Sequence, residues 1–245
     1  MPISYDPTLV MLSILVAITA ALTGLTMTAG YSPGSRRGGL GLLKGAVIIG
    51  GGIWSMHFIA MLAVKLPLPV SYDFIETMIS LYVAIIGTAL GLYIAAKRRA
   101  SVLSVPLGGI LMGAAIGGMH YMGMNAMRGC GIAYDMPGVY ASIGVAMVSA
   151  TIALWFALRK RGASETLVGG LLLGLAIPSM HYIGMLATSF GYTAAQIDTM
   201  APILSQRHLA LIIAAATFVI CGIFLFLFSA LAMGDPEPSH GHRRG

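Results

Sequence analysis

A chain of 245 residues that is 58% hydrophobic and 9% charged, with a mean hydropathy of +0.89, has the composition of a polytopic membrane protein and not of a soluble domain. The formal net charge of +6 does not mark a nucleic-acid partner, because the basic residues follow a membrane pattern. No Gly-rich phosphate loop stands in a strand–helix context and no stretch has room for a soluble catalytic domain, so any chemistry lies at or within the bilayer.

Seven stretches reach the ~20 residues needed to cross a hydrocarbon core. They are predicted near residues 9–30, 41–64, 74–96, 103–127, 138–158, 166–190 and 208–233. The first seven residues lack a positive n-region, so no cleaved leader is expected. Arg36, Arg37, Lys97, Arg98, Arg99, Arg159, Lys160, Arg161, Arg243 and Arg244 fall on alternate connections or the C-terminal tail. The opposite connections carry Lys65, Arg128 and Arg207 beside Asp73, Asp135 and Asp198. This asymmetry predicts an external N-terminus and a cytoplasmic C-terminus. The tail, residues 234–245, is expected to be disordered.

The spans repeat. The first, third and fifth share Ser-x-x-Val-Ala-Ile/Met, as Ser13 to Ile18, Ser80 to Ile85 and Ser142 to Met147. The second, fourth and sixth share a phrase read as Ser55-Met56-His57-Phe58-Ile59-Ala60-Met61, Gly118-Met119-His120-Tyr121-Met122-Gly123-Met124 and Ser179-Met180-His181-Tyr182-Ile183-Gly184-Met185. The predicted fold is therefore an all-α membrane domain over residues 5–233. It comprises three parallel two-helix repeats (9–64, 74–127, 138–190) and a closing helix, 208–233. Three such copies around an axis along the membrane normal would bring the three phrases together at one depth, nearer the external face.

Each phrase has a definite face. Glycine stands seven residues before each histidine (Gly50, Gly113, Gly174) and isoleucine four before (Ile53, Ile116, Ile177). A small residue follows at +3 (Ala60, Gly123, Gly184) and methionine at +4 (Met61, Met124, Met185). These offsets share one side of a helix, and small residues there permit close backbone approach. The −1 methionines, Met56, Met119 and Met180, are rotated by roughly 100° and flank that side.

A buried membrane histidine is costly without a partner. Singly, such a histidine is more often an interhelical hydrogen-bonding residue, and a methionine at helical spacing is core filling. Three copies at matched depth favour a shared metal or cofactor site at His57, His120 and His181. Imidazole and thioether together, with no obvious intramembrane carboxylate, point first to copper, Cu(I) or Cu(II); zinc and haem are the weaker alternatives.

The phrase resembles that of the MHYT domain family, over roughly residues 5–235. Met119-His120-Tyr121 and Met180-His181-Tyr182 match; Met56-His57-Phe58 has Phe for Tyr, and Ile59, Met122 and Ile183 stand where the family has threonine. The resemblance implies a sensory domain of the bacterial inner membrane that binds copper and responds to a diatomic gas such as O2, CO or NO. Carried onto this chain, the ligand set is Met56, His57, Met61, Met119, His120, Met124, Met180, His181 and Met185. Family members are often joined to cytoplasmic output modules. Only residues 234–245 follow the last span here, so a separate cytoplasmic signalling partner is expected, with the lipid bilayer as the other partner. A sensor is favoured over a copper transporter or channel, and over a membrane-embedded metallo- or haem-dependent redox enzyme.

Other residues are singled out. Cys130 and Cys221 lie at different depths and are not expected to pair. Cys130 reads as an unpaired loop cysteine, with a thiolate lid over the site as the alternative. His208 reads as interfacial, and His240 and His242 as a generic tail pattern. Trp54 and Trp155 suit interfacial or packing roles. Tyr121 and Tyr182 are expected to cover a neighbouring helix face.

Overall fold

The computed structural model describes residues 3–28, 36–67, 69–97, 103–158, 163–192 and 206–233. Its helices are α1 (Pro7–Thr28), α2 (Arg36–Leu62), α3 (Phe74–Lys97), α4 (Ser104–Asn125), α5 (Met136–Ala157), α6 (Ala163–Leu186) and α7 (Gln206–Met233). All seven are long and apolar enough to cross a membrane. Arg98, Arg99, Arg159, Lys160, Arg161, Asp198, His240, His242, Arg243, Arg244 and the tail 234–245 lie outside the described residues, as do the side chains of Arg36, Arg37, Lys97 and Arg207.

Helices α2, α4 and α6 end two to four residues earlier than predicted, because the chain leaves them for short strands. Six strands form three antiparallel ribbons: β1 (Ser4–Tyr5) with β2 (Val64–Lys65), β3 (Ser71–Tyr72) with β4 (Met127–Arg128), and β5 (Gly131–Tyr134) with β6 (Thr188–Gly191). An aspartate follows β1, β3 and β5 in turn and starts the next helix. Asp6 accepts from the Thr8 and Leu9 N–H groups, Asp73 from Glu76 and Asp135 from Gly138. Each also donates its own N–H, at 2.8 Å, to the residue just past an even helix: Ala63, Ala126 or Ala187. Asp6, Asp73 and Asp135 are therefore helix caps, which satisfy otherwise orphaned N–H groups.

Six helices close into a ring. From α1 to α6 each helix packs against the next, and α6 returns to α1; α7 lies outside, against α1 and α2. Exposed Leu15, Ile86, Val148, Leu172 and Phe226 give the outer surface the apolar character that acyl chains require.

The two sequence patterns prove to be halves of one interface, formed between each even helix and the odd helix after it. A Cβ added at Gly50 would lie 2.7 Å from Ile85 Cα and 2.8 Å from the Ala84 carbonyl oxygen; one at Gly174 would lie 2.5 Å from Ile18 Cα. Gly113 meets the backbone of Ala146 and Met147 in the same way. The glycine seven residues before each histidine therefore seats the Ala-Ile/Met step of the next helix at backbone contact.

Candidate metal centre

His57, His120 and His181 are 1%, 0% and 0% exposed, and they come from the last third of α2, α4 and α6. Their Nδ1 atoms form a triangle with sides of 3.1 Å (57–181), 3.2 Å (57–120) and 3.3 Å (120–181). The rings stand edge to face, with centroids 5.0 to 5.1 Å apart. A point equidistant from the three nitrogens lies about 1.9 Å from each, close to the ~2.0 Å of a metal–imidazole bond.

Protons alone do not satisfy this triangle. A neutral imidazole nitrogen is either a donor or an acceptor, never both. Among three Nδ1 atoms, two must therefore carry the same function and face each other as two protons or two lone pairs. A cation at the centre would accept all three lone pairs and remove the conflict. The three Nε2 atoms are also buried with no hydrogen-bond partner among the described residues. That of His57 lies against Gly123, and a Cβ at Gly184 would stand 2.6 Å from that of His120. The small residue at +3 of one phrase thus leaves room for the imidazole of another.

The methionines separate into two groups. Met61, Met124 and Met185, at most 1% exposed, share a buried cluster with Met127 and Cys130 on the ribbon side. Met56, Met119 and Met180, equally buried, belong to the central core with Ile53, Ile116 and Ile177. His208 is exposed at the start of α7 and stands outside the histidine cluster. Cys130 and Cys221 are both free thiols, as expected. Cys130 lies in the turn between β4 and β5, as the loop reading expected, but is buried there; burial pushes its thiol, and the Tyr72 hydroxyl, upward.

The residue after each histidine orients its helix. The Tyr121 hydroxyl pairs with Ser142 Oγ at 2.7 Å and the Tyr182 hydroxyl with Ser13 Oγ at 3.4 Å, each on the next odd helix. Phe58 has no hydroxyl. Its ring lies 4.8 Å from that of Trp54, whose Nε1 donates to Ser80 Oγ at 3.1 Å and so occupies the third equivalent serine. The departure from tyrosine was visible in sequence; its replacement was not, because Trp54 precedes the histidine while the tyrosines follow. Trp54→Phe is expected to cost about 1 kcal/mol of stability, the net worth of one hydrogen bond. Adding Phe58→Tyr should restore it, as read from thermal unfolding in detergent. An unaltered midpoint in Trp54→Phe would remove this lock.

Comparison with known proteins identifies a family. The family described as MHYT, bacterial signalling protein N-terminal repeat, matches residues 1–41, 50–108, 113–170 and 174–234. MucR of Pseudomonas aeruginosa, named a bifunctional diguanylate cyclase/cyclic di-GMP phosphodiesterase, is 40% identical over 194 residues, covering 76% of this chain and 28% of that protein. Signaling protein YkoW of Bacillus subtilis is 33% identical, covering 77% and 24%. NbdA of Pseudomonas aeruginosa, named a cyclic di-GMP phosphodiesterase, is 34% identical, covering 90% and 29%. The chain thus spans less than a third of the length of these relatives. No solved structure matches it. With four repeat matches distributed over nearly its whole length, and the Met-His-Tyr/Phe phrase buried at its centre, the chain belongs to the MHYT family of bacterial signalling proteins.

Proposed function

We propose that this chain is the inner-membrane sensory part of a signalling system. In this reading it holds copper on His57, His120 and His181 and reports a diatomic gas (O2, CO or NO) or the redox state to a cytoplasmic output. The observation that carries the reading is the Nδ1 triangle, buried and unsatisfiable by protons alone. The N-terminus is external, the C-terminus cytoplasmic, and three parallel two-helix repeats surround the metal. Two of the relatives are named for enzymes of cyclic di-GMP turnover, so the output we assign is a change in that nucleotide's level.

The chain's own residues supply the rest. The three imidazoles hold the ion, and the two flanking methionine groups wall it off from water with soft, neutral side chains. Copper bound there would supply a centre able to take up a small neutral molecule or change oxidation state. Of the three histidine helices, α2 has a packed route to α7: Ser55, two residues before His57, accepts a 2.9 Å hydrogen bond from Thr217 of α7. A shift of His57 is therefore passed to the helix that leads to the C-terminus. Nitrogens facing one another at 3.1 to 3.3 Å suit a single small ion and leave no room among them for a haem. The transporter alternative calls for rungs of donors further inward on the histidine faces, where Ile53, Ile116 and Ile177 are packed in the apolar core.

The test is infrared difference spectroscopy of the copper(I)-loaded chain exposed to CO. A CO band absent from the chain with all three histidines changed to alanine is the expected result. Equal spectra from the two proteins, with copper bound to both, would end the sensing assignment.

A further inference from the structure

Helix α7 leans on α1 and α2, and between it, α2 and α3 lies a cavity of about 340 Å3. Val47, Gly51 and Trp54 line it from α2 and Ile213, Ala216 and Ile220 from α7, with α3 as the third side. Spacings of three and four residues keep each wall on one side of its helix, so the cavity is a straight groove parallel to the helix axes. From Val47 to Ser55 it runs about 12 Å, and it stops about 10 Å short of the ribbon-side end of α2 at Leu62. The whole groove therefore falls within the ~30 Å hydrocarbon core that α2 is long enough to cross.

Depth and lining together select the occupant. The polar groups on the walls are already engaged: Trp54 Nε1 donates to the Thr77 carbonyl and Ser80 Oγ, and the Ser55 and Thr217 hydroxyls pair with each other. A ligand carrying a polar head to this depth would bury it without a free partner, which is costly. A helix as long as the groove is ~10 Å across and displaces roughly 900 Å3, more than the cavity holds. A hydrocarbon chain meets neither objection, and the surrounding bilayer supplies it. We propose that the groove is a binding site for one acyl chain of a membrane phospholipid, lying extended between α2, α3 and α7 with its headgroup outside the groove. The chain gains dispersion contacts along three walls. It also lies beside the Ser55–Thr217 hydrogen bond that joins α2 to α7, two residues from His57, and braces α7 against α3 there. The proposal is independent of what the histidines hold.

Trp54 lines the groove, so its emission reports the occupant. Trp54 and Trp155 are the chain's two tryptophans, and Trp155→Phe leaves Trp54 as the reporter. The full-length Trp155→Phe chain is reconstituted in phosphatidylcholine brominated at mid-chain, since bromine quenches an indole on contact. Trp54 is expected to lose most of its emission relative to the same chain in unbrominated lipid. A Cβ at Gly51 meets nothing within 4 Å, so Gly51→Leu fills the groove without displacing backbone and should restore most of the emission. Gly144→Leu on α5, where a Cβ is equally unobstructed, should restore none. Ala216→Leu fills the groove from the opposite wall, should act as Gly51→Leu does, and decides the matter if that variant fails to fold. Equal quenching in the parent and in the filled variants would mean contact with bulk lipid alone and would overturn the site. So would unquenched emission in the parent. Quenching that emerges only on dilution with excess lipid would give the groove to a second copy of the chain, and would overturn the site as well.

Discussion

The purified chain is expected to carry copper on the triad that is lost when His57, His120 and His181 are all changed to alanine. The reason is electrostatic and local. Three Nδ1 atoms lie within 3.3 Å of one another, each ring is buried, and no proton arrangement pairs all three. An unsatisfied buried polar group costs about 1–3 kcal/mol, a cost that an ion accepting the three lone pairs would remove. A single change such as His120→Ala should weaken binding by more than ~100-fold, since loss of even an outer partner of a metal ligand typically costs 10–100-fold. Stability provides an independent readout. At a free Cu(I) concentration ~100 times Kd, binding stabilises the folded chain by about 2.7 kcal/mol, and the triad's share of any such gain should vanish in the triple variant. Metal analysis and thermal unfolding with and without Cu(I) check both points. Equal copper in the two proteins would reduce the three phrases to a packing repeat.

Gly113→Ala is expected to destabilise the chain by about 2 kcal/mol, within the usual range for overpacking, while Gly118→Ala in the same helix is neutral or stabilising. A Cβ at Gly113 would lie 2.5 Å from the Met147 backbone nitrogen and 2.8 Å from the Ala146 carbonyl carbon. Neither atom can swing away as a side-chain tip would, so α4 and α5 must separate. Nothing stands within 4 Å of a Cβ at Gly118, where alanine only removes the flexibility that glycine brings to a helix. Displacing α4 also moves His120, so Gly113→Ala should weaken copper binding and Gly118→Ala should not. Unfolding midpoints of the two variants, followed by copper titration, decide it. Similar midpoints would mean that the glycines seven residues before the histidines are not the contacts that set the ring.

Much of the site was legible because a helix imposes a short, fixed periodicity. Offsets of −7, −4, +3 and +4 from each histidine had to share one side, whatever the partner, and those residues are all buried: Gly50, Ile53, Ala60 and Met61 around His57, with their counterparts in α4 and α6. The seven spans were legible for the same kind of reason, since the thickness of a bilayer fixes how long an apolar run must be.

What lay beyond the sequence concerns partners. The pairing of Tyr182 with Ser13 joins residues 169 apart, and nothing near either one in the chain announces the other. Trp54 in place of a tyrosine hydroxyl, the aspartates as caps over the three ribbons and the meeting of Cys130 with Met127 beneath them all depend on where neighbouring elements stop and turn. The helices, their interior faces, the two methionine rows and the grouping of the three histidines follow from helical periodicity in the chain. Convergence of the Nδ1 atoms to 3.1–3.3 Å depends on how the helices pack. Local periodicity sets the direction of a side chain from its own axis, whereas the distance between two side chains depends on how closely the helices pack, which the glycine contacts of another repeat control.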